Sequence, residues 1–208
     1  MSSFAATSRH CLAGPGRKTR PVAFQTPTFE TERLTLRPFG AADKDEIYAL
    51  QSDPYVLRYW DSSPWTRREQ ADRFIERSAT MARDEKGIRL AVDRRSDGAF
   101  VGWCAFNEWK PDFRSGELGY CFKREEWGKG YATEAGRAVL EWMFENTNLN
   151  RVQSAADTRN PASGKVLQKL GFILEGTMRE DCIVDGVVSD SWIFGLLRKD
   201  WEKLQASA

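Results

Sequence analysis

The segment Glu117-Leu-Gly-Tyr-Cys-Phe-Lys-Arg-Glu-Glu-Trp-Gly-Lys-Gly-Tyr-Ala-Thr-Glu-Ala constrains the chain more than any other stretch. It reads as a strand, a polar turn, a Gly-x-Gly pair and the first turn of a helix. A helix start leaves its first backbone N–H groups unpaired and carries a partial positive charge, so it accepts an anion. Gly128 and Gly130 have no Cβ and tolerate φ > 0, which lets the backbone close on that anion. Arg124 and Lys129 add charge, and a diphosphate-bearing ligand is the natural guest. Two other phosphate loops do not fit. A P-loop needs Ser or Thr after Gly-Lys, and Gly130 stands there. A dinucleotide fingerprint needs Gly or Ala three places after its second glycine. That position is Thr133, in a turn that lies mid-chain instead of opening a first βαβ unit.

Around this junction the pattern alternates between strand and helix periods. Leu34 and Leu36, with Pro38 as a further candidate on their face, mark a half-buried strand from Thr31. Ala42 to Gln51 reads as a helix ended by Ser52-Asp53-Pro54. A second helix runs to about Arg83, with Thr66 as the expected N-cap. Strands follow at Ile88–Val92, Phe100–Trp109 and Glu117–Phe122. Ala132, Ala135, Val139, Leu140, Met143 and Phe144 recur at helical spacing over 130–145. Arg151–Ala155 reads as a strand, Pro161–Leu170 as a helix, Phe172–Leu174 as a strand start and Val187–Leu197 as a last long strand. A short helix ends near Leu204. The order implies one α/β (α+β) domain over 30–208 with a mixed, mostly antiparallel sheet flanked by helices. Residues 1–29 lack acidic residues and periodicity and read as a flexible extension.

Composition narrows the chemistry. The chain has 208 residues and a formal charge of +1, which gives no field for wrapping nucleic acid. No apolar run approaches the roughly 20 residues of a membrane span. Its single histidine, His10, lies in the extension, which disfavours a histidine-based triad or a histidine-ligated zinc, and no metal is expected. Cys11, Cys104, Cys121 and Cys182 show no metal-ligand spacing and read as reduced thiols. The expected setting is cytoplasmic. The basic, acid-free extension also resembles an organelle transit peptide, the less favoured reading.

Four stretches in order resemble the GNAT superfamily, and within it the RimJ/RimL-like N-acetyltransferases, over about 31–204. They are Thr31-Glu-Arg-Leu-Thr-Leu-Arg-Pro-Phe, then Glu117-Leu-Gly-Tyr with Trp127-Gly-Lys-Gly-Tyr-Ala-Thr-Glu-Ala. Asn160-Pro-Ala-Ser-Gly-Lys-Val-Leu-Gln-Lys-Leu-Gly-Phe follows. Glu175-Gly-Thr-Met-Arg with Asp185-Gly186 and Asp190 closes the series. The resemblance implies a splayed sheet and acetyl-CoA as acyl donor to a primary amine, a protein N-terminal α-amine or a small-molecule amine. It implies that pantetheine lies along Leu118, Tyr120, Cys121 and Phe122, opposite Arg151–Ala155. It places the pyrophosphate on Trp127, Gly128, Lys129, Gly130, Tyr131 and Ala132, with Arg124 nearby. A homodimer is compatible with it.

Two positions depart from the family pattern, and a third bears on the second of them. Glu125 stands where a Gln or Arg precedes the first glycine. Leu167 stands where many relatives carry the tyrosine that protonates the leaving thiolate. Ser163 matches a serine that RimL-like relatives are thought to use instead. Asn160 is an N-cap before Pro161 and also a candidate amide contact to the cofactor. Glu117 is the candidate base, with Glu108 and Asn107 as competitors, and Tyr59, Trp60, Trp65 and Asn107 are candidates for the acceptor wall. Without imidazole, the site favours an amine that is already partly neutral. An α-amine (pKa about 8) meets that condition better than a lysine (about 10.4). The alternatives are an acyl-CoA-binding sensor without turnover and a ribosome- or RNA-associated module using the basic extension.

Overall fold

The computed structural model describes residues 26–206. The extension's first residues, with His10 and Cys11, lie outside them. Eight strands and five α-helices follow one another along the chain. The strands are β1 (Phe29–Glu30), β2 (Leu34–Pro38), β3 (Ile88–Arg94), β4 (Phe100–Lys110), β5 (Ser115–Phe122), β6 (Arg151–Asp157), β7 (Ile173–Val184) and β8 (Val187–Leu197). The helices are α1 (Lys44–Ser52), α2 (Glu69–Arg83), α3 (Tyr131–Asn146), α4 (Pro161–Lys169) and α5 (Arg198–Ala206). They form a single mixed sheet in the order β1-β2-β3-β4-β5-β6-β8-β7. Every neighbouring pair is antiparallel except β5 and β6.

Period-two alternation explains the two-sided core. Leu34, Leu36, Ile88, Leu90, Val92, Cys104, Phe106 and Leu118 face α3, whose Ala135, Val139, Leu140, Met143 and Phe144 lie at helical spacing. Ala91, Trp103, Ala105 and Cys121 point the other way, onto Ile47 and Leu50 of α1 and Ala71 and Phe74 of α2. Each large side chain so buried contributes about 2 kcal/mol. The sheet is therefore a wall with a different helix pair on each side.

Four expectations need correction. Phe29, assigned to the extension, pairs with Leu36 as part of β1. Thr66 is not an N-cap: α2 begins at Glu69, and the Gln70 side chain accepts from the amides of Thr66 and Arg67 at 3.1 and 3.0 Å. The helix expected at Ala42 opens with a 3-10 turn over Ala41–Asp43, where Asp43 folds back to bond the Gly40 amide and Arg37. The strand begun at Phe172–Leu174 starts at Ile173 and runs on to Val184. That last strand is exposed on both faces along most of its length and carries two register shifts, so it shows no hydrophobic alternation.

Candidate active site

α3 starts on Gly130 as N-cap at φ 85°, with Gly128 at φ 77°. Both angles lie in the left-handed region that glycine enters without strain. No side chain caps this helix, and among the described residues the amides of 128–133 find no acceptor. The helix ladder begins only with the Glu134 amide on the Gly130 carbonyl at 3.0 Å. A Cβ placed on Gly128 would meet nothing within 4 Å. Open, unpaired amides at a helix N-terminus fit a diphosphate.

The surrounding charges hold that turn in place. Glu126, 7% exposed, takes Lys129 at 2.9 Å and Arg94 at 3.0 Å. Burial pushes its carboxyl up, but Lys129 and Arg94 outweigh burial and leave it below the usual glutamate range. This contribution to stability is present above the ordinary pKa and lost as pH falls through the depressed one. Glu126→Gln is therefore expected to melt on the order of 5 °C lower at pH 7, with the gap closing in acid. Thermal melts across pH check this, and equal melting at pH 7 would count against it. Arg124 lies 3.9 Å from the ring centre of Tyr55, which stacks on Trp127 at 5.9 Å. The Trp127 indole donates to the Phe122 carbonyl at 2.8 Å. Arg33 bonds the Lys129 carbonyl at 3.0 Å and pairs with Glu134. Sequence reading passed over Arg33, because nothing in β2 signals a contact with a loop about a hundred residues away.

The sheet opens beside this junction. β5 and β6 pair only between Ser115–Glu117 and Arg151–Gln153. Past Glu117 the strands part, and the Ser154 hydroxyl donates to the Leu118 carbonyl at 2.9 Å. A residue's N–H and C=O share one side of a strand, so Leu118, Tyr120 and Phe122 turn their amides into the gap. Cys121 alternates with them and sits in the opposite core. The Tyr120 hydroxyl lies 2.9 Å from the Ser163 Oγ and 3.2 Å from the Ser163 carbonyl. Burial raises the Tyr120 phenol above its ordinary value despite the Ser163 bond, so it stays a neutral donor. The Ser163 amide donates to Asn160 Oδ1 at 3.2 Å, which makes Asn160 the N-cap of α4, followed by Pro161. Leu167 is fully buried in the core.

Glu117 lies on the other face of β5, directly across from Asn107 of β4. Burial pushes its carboxyl up, Glu108 and Asp61 push it further, and Lys110 opposes them. β4 bulges just beyond Asn107, with Glu108 at φ 51°, and this breaks the ladder at the end of the face. Trp60 packs on Trp103 at 5.5 Å and Trp65 on Phe74 at 5.6 Å. Tyr59 lies between Arg58 and Arg159. Ser63 donates to Asp185 at 2.8 Å, tying this loop to the tip of the β7–β8 hairpin. The candidates thus form two groups separated by the sheet. Arg124, Trp127–Ala132, Tyr120, Ser163 and Asn160 gather toward α3 and α4; Glu117, Asn107, Trp60 and Trp65 gather toward α1 and α2.

The two buried thiols, Cys104 and Cys121, are held protonated by their surroundings. Burial pushes Cys104 up to about 12, and Cys121, equally enclosed, is raised as well. A thiol so protonated near neutral pH is a poor attacking group.

Comparison with known proteins agrees with this geometry. The family model described as "Acetyltransferase (GNAT) domain" matches residues 33–173. The uncharacterised N-acetyltransferase p20 of Bacillus licheniformis is 32% identical over 174 residues, covering 84% of this chain and 98% of its own. The ribosomal-protein-S5-alanine acetyltransferase of Vibrio fischeri superposes with a TM-score of 0.75 at 23% identity, covering 84% of this chain and 98% of that one. The spermidine N-acetyltransferase of Vibrio cholerae, solved with CoA and spermine, gives 0.73 at 23%, covering 83% and 99%. At that identity the two structures establish a shared fold. The family match spans the Gly-x-Gly junction, the parted strands and α4 together, and the chain accordingly belongs to the GNAT family as an acetyl-CoA-dependent N-acetyltransferase.

Proposed function

We propose that this enzyme acetylates a primary amine by direct attack in a ternary complex, with donor and acceptor meeting through the gap between β5 and β6. The observation that carries this reading is the end of the β5–β6 ladder at Glu117. There a carboxyl with a raised pKa stands at the edge of an opening lined by free amides. The catalytic unit begins with β1 at Phe29 and acts in the cytoplasm, with the residues before it as an appendage.

The amides of 128–133 hold the diphosphate, and the gap-facing amides of Leu118, Tyr120 and Phe122 hold the pantetheine arm. Acetyl-CoA supplies a thioester carbonyl already activated toward amines. A main-chain N–H near Tyr120–Phe122 polarises that carbonyl. Glu117 takes the proton from the amine, directly or through one water, as the C–N bond forms. Ser163, ordered by the Tyr120 hydroxyl, donates a proton to the sulfur as the C–S bond breaks, which fills the role left open by Leu167.

The acceptor is a peptide α-amine or a small-molecule amine; one structural neighbour is a ribosomal-protein acetyltransferase and another was solved with spermine. Thiol release from acetyl-CoA across an amine panel tests the activity, and CoA binding without release from any amine would overturn it. Tyr120→Phe and Ser163→Ala are each expected to lower kcat about tenfold with CoA affinity unchanged. Their combination should cost little more than either alone, since the two hydroxyls act as one unit. Additive losses would separate them.

A further inference from the structure

We propose that the acceptor bears a carboxylate beside its amine, and that Arg89 selects it. This rests on the amine-acetylation reading above and names the substrate class for it. The inference starts from one row of residues on the α1–α2 face. Arg89 of β3 stands opposite Ala105 of β4, which stands opposite Gly119 of β5. One step along the same face, Asn107 stands opposite Glu117. Ala91, Trp103, Ala105 and Cys121 of this face join the core against α1 and α2. Beyond them stands a second polar group, Arg37 opposite Ala91, but there the guanidinium is paired with Asp43 and Asp93.

Arg89 has no counter-ion among the described residues. Its guanidinium lies over Phe74 at 4.5 Å and Trp103 at 5.5 Å. Its one hydrogen bond to the protein is a long 3.4 Å contact to Asn107 Oδ1. Its Nε is buried and unpaired. The Trp103 indole N–H is also buried without an acceptor, and these two are the only such side-chain atoms among the described residues. Two orphaned donors against one another cost stability unless an acceptor oxygen joins them.

The neighbourhood is net positive. Arg73, Arg77 and Lys86 line the cleft under α2 with Arg89, against Glu76 and Asp84, the latter paired with Arg83; none of those three cations forms an ion pair among the described residues. Burial, helped by Arg77, pulls Arg89 down to about 10, so it remains a cation near neutral pH. Such a gathering of cations favours an anion and opposes a polyamine. Glu117 is not the missing partner. It makes no ion pair with Arg89, and its carboxyl is raised where a close guanidinium would lower it.

The spacing suits a short bifunctional molecule. Arg89 and Glu117 line a common cleft with Asn107. β3 and β5 are two strand spacings apart, about 10 Å. Asn107 stands between them, 3.4 Å from the Arg89 guanidinium and directly across from Glu117. A guanidinium fork matches a carboxylate in two parallel hydrogen bonds.

The test compares kcat/KM for amines that differ only in the carboxylate. A free amino acid is set against its amide, and a peptide beginning with Glu against one beginning with Gln. Spermidine is the cationic control. The carboxylated member of at least one pair is expected to be preferred about 100-fold, and which pair responds identifies a free amino acid or an acidic peptide. Arg89→Gln should erase that preference by lowering the carboxylated acceptor alone, with CoA affinity intact. Arg89→Lys, which keeps the charge and loses the fork, should fall between. Equal use within both pairs, preference for spermidine, or equal loss for both members in Arg89→Gln would overturn the proposal. Should the variants not fold, the wild-type comparison decides by itself. Calorimetry on the CoA-loaded protein separates this from the activity itself. Carboxylated amines that bind through Arg89 but are never acetylated would remove the transfer reading and keep the anion site. Binding without preference would remove the site.

Discussion

Acetyl-CoA affinity is expected to fall about 100-fold or more in both Gly128→Glu and Gly130→Glu, while the fold persists. The reasoning is electrostatic and local. A glutamate at either position sets a carboxylate over the unpaired amides of 128–133 and competes with a diphosphate for them. The space for the side chain exists: a Cβ on Gly128 meets nothing within 4 Å, and one on Gly130 approaches only the flexible end of Arg33 at 3.4 Å. Positive φ at both sites adds about 1 kcal/mol of strain, too little to unfold the domain. Gly128→Ala separates the two effects, since it carries the strain without the charge and should bind nearly as wild type. Calorimetric titration with acetyl-CoA measures all three. Unchanged affinity in the glutamate variants would move the diphosphate elsewhere.

Glu117→Gln is expected to lower kcat by about 100-fold or more with little change in CoA binding. Wild-type kcat should rise with pH through the raised pKa of this carboxyl, and the variant should lose that limb. Stability moves the opposite way. A carboxyl whose folded pKa lies above its unfolded value stabilises the fold below the unfolded pKa, and loses that contribution as pH rises through the folded one. The variant should therefore melt higher than wild type at pH 7, and the two should converge below the ordinary glutamate range. An active, stabilised Gln variant would leave Glu117 as a buried carboxyl of no catalytic consequence. Loss of activity with no change in the pH profile would make it a positioning residue.

Elements that bury one clean face were legible without coordinates. β2, β3 and α3 carry apolar residues at periods of two or 3.6, and the structure places their ends within three residues of where the pattern does. β7 was not, since a strand exposed on both faces has no alternation to read. Thr66 misled for another reason: its side chain is a good cap in general, but the helix starts only at Glu69, with Arg68 at the cap position. The junction at Gly128 was legible because glycine spacing and helix start are local facts. Arg33, the Tyr120–Ser163 bond and the unpaired Arg89 were not, because each depends on residues dozens of positions apart meeting across strands.

From the chain alone came the glycine turn at a helix start, the scarcity of histidine and the family resemblance, since each is written in short-range spacing and residue type. Tertiary structure alone decided that β5 and β6 part at Glu117, that hydroxyls gather on one side of the sheet and the buried carboxyl and guanidinium on the other, and which of those groups has a partner. Register and burial are properties of the assembled sheet, and they set both the raised carboxyl of Glu117 and the orphaned donors around Arg89.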